Sequence, residues 1–180
     1  EYIEAESSSN FLNATPNYPV LKGQKANLYK CFLPRAWSLV AGQGVTGFLH
    51  PEGVYDDVNG GALRTDVFRR LAAHFQFRNE KYLFPEVHHE EEFSINIYGA
   101  CSNLLDFTTI ANLFDPATID LCYLSSSTGA VPGIKDENHD WCLRGHGDRV
   151  VRVGSRELNL FSQLFSQENG ESAKLPAVHC

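Results

Sequence analysis

Hydrophobic and polar positions alternate with two distinct periods along this chain. From Lys25 to Val40, apolar residues at Leu28, Phe32, Ala36, Leu39 and Val40 recur at helical spacing, with Pro34 either kinking that helix or marking the start of its regular part. Gly42 and Gly44 end it, and Val45 to Leu49 reads as a short buried strand. A turn-rich loop, HPEGVYDDVNGG, leads to a second helix predicted over Ala62 to His74. In it Leu63, Val67 and Leu71, with Phe75 just beyond, share one face, and Asn59 is a candidate cap. Phe75 to Phe84 is aromatic and extended. Phe93 to Tyr98 alternates cleanly, with Phe93, Ile95 and Ile97 on one side and Ser94, Asn96 and Tyr98 on the other. The intervening PEVHHEEE reads as a polar connection of hairpin type.

The ends are less periodic. Residues 1–24 carry SSSN and two prolines and read as a loop or excursion. Asp106 to Phe114 reads as a short helix broken by Asp115-Pro116, residues 125–149 as a long irregular segment, and Ser155 to Gln167 as a last amphipathic helix. The predicted organisation is therefore an excursion over 1–24, an α/β unit over 25–105 and an irregular and helical extension over 106–180.

Composition narrows the class. A length of 180 residues suffices for one domain with a real core, and no run of about 18 apolar residues suggests a membrane span. The net charge of −7 argues against this segment alone binding DNA strongly, because phosphate neutralisation needs clustered cations. Five widely spaced cysteines without a Cys-x-x-Cys pair read as reduced thiols of a cytoplasmic protein. The absence of methionine, position 1 included, reads as a segment of a longer protein.

Several residues carry candidate chemistry. His50, Pro51, Glu52, Asp56 and Asp57 follow a strand's carboxyl end, where open α/β sheets place their clefts; the simpler reading is a turn with solvated carboxylates. Gly60-Gly61 offers an anion-binding helix start, but without the Lys-Ser/Thr of a phosphate loop it reads better as a turn. His88-His89 among Glu86, Glu90, Glu91 and Glu92 has no metal-ligand spacing and reads as an exposed acidic hairpin. Arg144, Arg149 and Arg152 form the basic concentration of the second half and are candidate DNA contacts; the alternative is a polar loop with local Asp–Arg pairs.

The order of these elements, through KANLYKCFLPRAWSLVAGQGVTGFLHPEGVYDD, the Gly-Gly-led helix and YLFPEVHHEEEFSINIYG, resembles the second half of the catalytic domain of adenine-specific DNA methyltransferases, particularly of the type IIG restriction–modification class. The later phrases NLFDPATID, VPGIKDENHDW and RGHGDRVVRV resemble the segment beyond the methyltransferase core in that class. The resemblance implies a partial Rossmann-like sheet: a helix, a parallel strand, a helix and a closing reversed hairpin. It implies that Phe84, in Leu83-Phe84-Pro85, stacks on the adenine swung out of the duplex, and that the His50–Asp57 loop borders the cleft.

The family transfers a methyl group from S-adenosylmethionine to the adenine amine, using an Asn-Pro-Pro-aromatic loop and a glycine-rich turn. Neither motif occurs here. The expectation is a chain without catalytic residues of its own, inactive in isolation, binding S-adenosylmethionine weakly or not at all. It would meet DNA as part of a full-length protein that supplies the other half of the catalytic domain. Two other readings stand beside it: a non-catalytic DNA-binding or interaction module, and a metal-dependent hydrolase built on His88-His89.

Overall fold

The computed structural model describes residues 2–24, 27–165 and 170–180, with backbone alone described over 2–5. Helix α1 (Tyr2–Asn13) opens the chain, so residues 1–24 are not the loop that their polar composition suggests. Helix α2 (Leu28–Leu39) begins at Asn27, whose side chain accepts from the Tyr29 N–H; Lys25, the expected start, lies outside the described residues. Pro34 sits within α2 without ending it. Strand β1 (Thr46–Pro51) follows, then a single helical turn, α3 (Gly53–Asp56), inside the predicted loop.

Helix α4 (Gly61–Phe68) is capped at Gly60 rather than Asn59, and ends well before His74. Leu71 continues the helical stripe in sequence but opens strand β2 (Leu71–Arg78). Strand β3 (Glu92–Tyr98) matches the alternating segment. Asp106 to Phe114 is not a helix: it forms strand β4 (Asp106–Leu113), and helix α5 (Ala117–Leu124) starts after Pro116. Strand β5 (Val151–Gly154) runs straight into helix α6 (Ser155–Phe165); Ser166 and Gln167, the expected end of that helix, lie outside the described residues.

The five strands form one mixed sheet in the order β1-β3-β2-β4-β5. β3 runs antiparallel between β1 and β2, with Phe48 opposite Asn96 and Phe75 opposite Ile95, while β2 and β4 are parallel. The fold is α/β, consistent with a partial Rossmann-like sheet in which β1 and β2 share a direction and β3 is reversed between them. The last third of the chain extends this sheet by two strands, so it is more regular than its composition suggests.

One face of the sheet carries the larger core, in which Leu33, Tyr55, Leu63, Val67, Phe68, Phe107 and Leu158 pack together. The opposite face holds a smaller cluster of Phe77, Phe93, Ile110, Leu113 and Cys122. Burial of these apolar surfaces is the main driving force for the arrangement. Among the described residues, no helix is long and apolar enough to cross a membrane.

Candidate functional site

The alternation in β3 buries its polar row more completely than its apolar one. Ser94, Asn96 and Tyr98 are almost wholly buried under α3, whereas Ile95 and Ile97 are only partly covered. Buried polar atoms need partners, and a network supplies them. The Tyr55 hydroxyl donates to Asn96 Oδ1 at 2.5 Å, and Asn96 Nδ2 donates to Ser94 Oγ at 2.8 Å. His50 Nδ1 lies 2.9 Å from the Pro51 carbonyl, and its Nε2 lies 2.9 Å from the Tyr98 hydroxyl. A carbonyl can only accept, so Nδ1 carries the hydrogen and neutral His50 accepts from Tyr98. His74 contacts Thr109 Oγ1 at 2.9 Å through Nδ1 and the Glu52 carboxylate at 3.2 Å through Nε2.

This network anchors the loop after β1. Desolvation pushes the His50 imidazole below its ordinary value and so favours the neutral ring. Burial would raise the Glu52 carboxyl, but His74, with help from Ser94 and His50, brings it below its usual value. Burial, with the nearby carboxylates of Asp57, Asp56 and Glu52, holds the Tyr29 phenol well above its ordinary range; its ring stacks on His50 at 5.4 Å. Glu52 is thus a structural carboxylate committed to His74, not a solvated one. Asp57 pairs with Lys30 at 2.5 Å, and this pairing lowers its carboxyl.

Phe84 occupies the other wall of the same end of the sheet. It meets Phe93 edge-on at 5.0 Å and lines an apolar groove of about 220 Å³ with Leu49, His50, Pro51, Val87 and Phe93. The structure therefore brings Phe84 together with His50 and Pro51. Asp56 and Asp57 line a separate recess with Asn27, Tyr29 and Lys30.

Sequence reasoning missed the residue that holds Phe84. Asn79 is fully buried; its Oδ1 accepts from the Phe84 N–H at 3.0 Å, and its Nδ2 donates to the carbonyls of Phe84 at 2.9 Å and Val87 at 2.8 Å. Tyr82, in the left-handed region at φ 52°, turns the chain out of the short 3-10 segment Asn79–Lys81 towards Phe84. An aromatic residue rarely adopts that conformation, so the surrounding bonds hold the turn in place. An asparagine at the end of a strand, just before a turn, was the available signal.

The three candidate DNA-contacting arginines differ in placement. Arg149 is buried and donates to the carbonyls of Arg144 at 3.0 Å, Ala111 at 3.1 Å and Asn112 at 3.2 Å, which removes it from any surface. Arg152 is exposed but held in a bidentate pair with Asp106, both contacts 2.6 Å. Arg144 is exposed, 3.8 Å from Glu137. At the acidic connection His89 meets Glu80 at 3.1 Å and His88 is exposed; among the described residues no three His, Cys, Asp or Glu side chains are grouped to hold a metal.

No protein-family model matches the chain, and no curated protein matches it. Nineteen chains of solved structures are similar to it, among them the following two. The ATP-dependent Type ISP restriction-modification enzyme LlaBIII bound to DNA aligns over 59% of this chain at 12% identity with a TM-score of 0.36. The type IIG restriction endonuclease BpuSI aligns over 61% at 17% identity with a TM-score of 0.40. The chain spans 8% of the first protein's length and 13% of the second's.

Proposed function

We propose that this chain is the far half of the catalytic domain of an adenine-specific DNA methyltransferase of the restriction–modification class, working within a longer protein. The observation that carries the reading is the shared groove of Phe84, His50 and Pro51 past the carboxyl end of β1. Phe84 is 38% exposed, which leaves ring surface free for a planar ligand. Stacking on an aromatic side chain is worth about 1–3 kcal/mol per base, comparable to what a flipped base loses on leaving the duplex. The reversed strand between two co-directional ones also agrees with the hairpin that the resemblance implies.

In this reading Phe84 and Val87 hold the base, Pro51 and Leu49 wall the groove, and Asn79 positions the Phe84 turn. S-adenosylmethionine would supply the methyl group, but the residues after β1 do not fit a seat for it. Pro51 has no N–H to offer, the Glu52 carboxylate is committed to His74, and among the described residues no glycine-rich turn follows a strand. No step of the transfer is assigned to this chain, and its contribution is to bind and orient the base.

The test is a methyl-transfer assay on the longer protein, with labelled S-adenosylmethionine and duplex DNA whose adenines are replaced site by site. Transfer to adenine N6 supports the reading. Transfer to cytosine, or none, contradicts it.

A further inference from the structure

At the opposite end of β1 and β3 lies a second cavity, of about 140 Å³, lined by Trp37, Gly42, Thr46, Arg70, Tyr98 and Cys101 among others. It is remote from Phe84 and plays no part in holding the base. Its lining contains hydrogen-bond donors but no acidic side chain.

Trp37 is the most telling of these residues. Its indole Nε1 is buried and has no acceptor among the described residues. A buried donor left unpaired is costly, and native interiors rarely tolerate one. Arg70 lies over the face of the same ring, its guanidinium carbon 4.8 Å from the ring centroid. Only one end of that guanidinium is engaged: Nη1 donates to the Asp66 carbonyl at 2.9 Å and lies 3.4 Å from the Asp66 carboxylate. The Nε–Nη2 edge has no partner among the described residues. That is the edge with which Arg152 grips the Asp106 carboxylate in this same protein.

We propose that this cavity binds a small carboxylate. The carboxylate would take the Nε–Nη2 edge of Arg70 in a two-point contact and give the Trp37 N–H its acceptor. Thr46, at the start of β1, lines the same space. A cavity of ~150 Å³ takes a molecule of about benzene's size, which limits the ligand to a few heavy atoms beyond the carboxylate. Asp66 tethers Arg70 from the α4 side, so the fork is held over Trp37 before any ligand arrives.

The experiment is an NMR titration of the whole chain, following its two indole N–H signals, with Trp37 told from Trp141 by a Trp141→Phe variant. Propionate is the probe and propionamide, of the same shape without the charge, is the control. A saturable shift of the Trp37 signal with propionate, absent with propionamide and weakened about tenfold or more in Arg70→Lys, is the expected result. Lysine keeps the charge and loses the fork. A Trp37 signal unmoved by propionate, or moved equally by propionamide, would overturn the proposal even if the Arg70 variant failed to fold.

Discussion

Glu52 and His74 meet at 3.2 Å across the buried face of the sheet, although β3 lies between β1, which Glu52 directly follows, and β2, which carries His74. Because a carboxylate only accepts, His74 Nε2 carries the hydrogen of that contact, and its Nδ1 faces the Thr109 hydroxyl. Strands β2 and β4 and the loop after β1 are thus tied through one imidazole.

Removing that carboxylate should cost stability without dismantling the fold. Glu52→Ala is expected to lower the unfolding free energy by about 1–3 kcal/mol at neutral pH, measured by urea titration. Since the Glu52 carboxyl lies below its ordinary value in the folded protein, its contribution is complete above the usual carboxylate range and is lost as pH falls through the folded value. His50 acts in the same direction from higher pH: its buried ring resists the proton that the unfolded chain accepts below about pH 6.5. The wild-type protein should therefore weaken progressively on acidification. In Glu52→Ala the lowest part of that decline should be missing, and equal pH profiles for the two proteins would contradict the assignment.

Asn79 should matter more to Phe84 than to the rest of the molecule. Asn79→Ala leaves the Phe84 N–H and the Val87 carbonyl without their partner, while the Phe84 carbonyl keeps the Val87 N–H at 3.1 Å, at an expected cost of about 1–3 kcal/mol. Hydrogen exchange should speed up over residues 82–88 while the β4 amides stay protected. Uniform acceleration across the sheet would mean that Asn79 acts on global stability alone.

The arginines separate by burial. Arg149→Met removes donors from three carbonyls and is expected to cost about 3 kcal/mol or more, whereas Arg144→Ala should change stability by less than about 0.5 kcal/mol. Thermal unfolding of both variants decides this. Equal melting temperatures would contradict the structural role of Arg149.

Calorimetric titration of this chain with S-adenosylmethionine should give little or no heat, because among the described residues no glycine-rich turn follows a strand and the Glu52 carboxylate after β1 is committed to His74. Micromolar affinity would contradict that expectation.

The sequence was most legible where one period dominated. β3 and the start of α6 fall close to the predicted places because their apolar and polar positions alternate or recur cleanly. β1 falls near its predicted place but is an edge strand, with Leu49 and the preceding Val45 exposed, not the buried strand expected. β4 did not, since DFTTIANL sits between two other strands and buries residues on both faces, which erases the period of two. The start of β2 was hidden for another reason. Leu71-Ala72-Ala73 has helical propensity and extends the α4 stripe, but pairing with β3 and β4 overrides it.

The candidate site was half legible. Phe84, His50 and Pro51 stood out by position and resemblance, but their supports did not. His74 and Asn96 act through long-range hydrogen bonds, such as Tyr55 to Asn96, that no local pattern encodes, whereas the Asn79 side chain bonds to nearby Phe84 and Val87. Nothing local distinguishes a buried arginine such as Arg149 from an exposed one such as Arg144.

The proposed stacking of Phe84 on a flipped adenine is tested most directly in the longer protein by pairing Phe84→Ala with Phe84→Trp. Methyl transfer to adenine should fall about tenfold or more in the alanine variant and return substantially with tryptophan, while the melting temperature of both stays close to wild type. Unchanged transfer in Phe84→Ala, with DNA bound and the fold intact, would contradict the account.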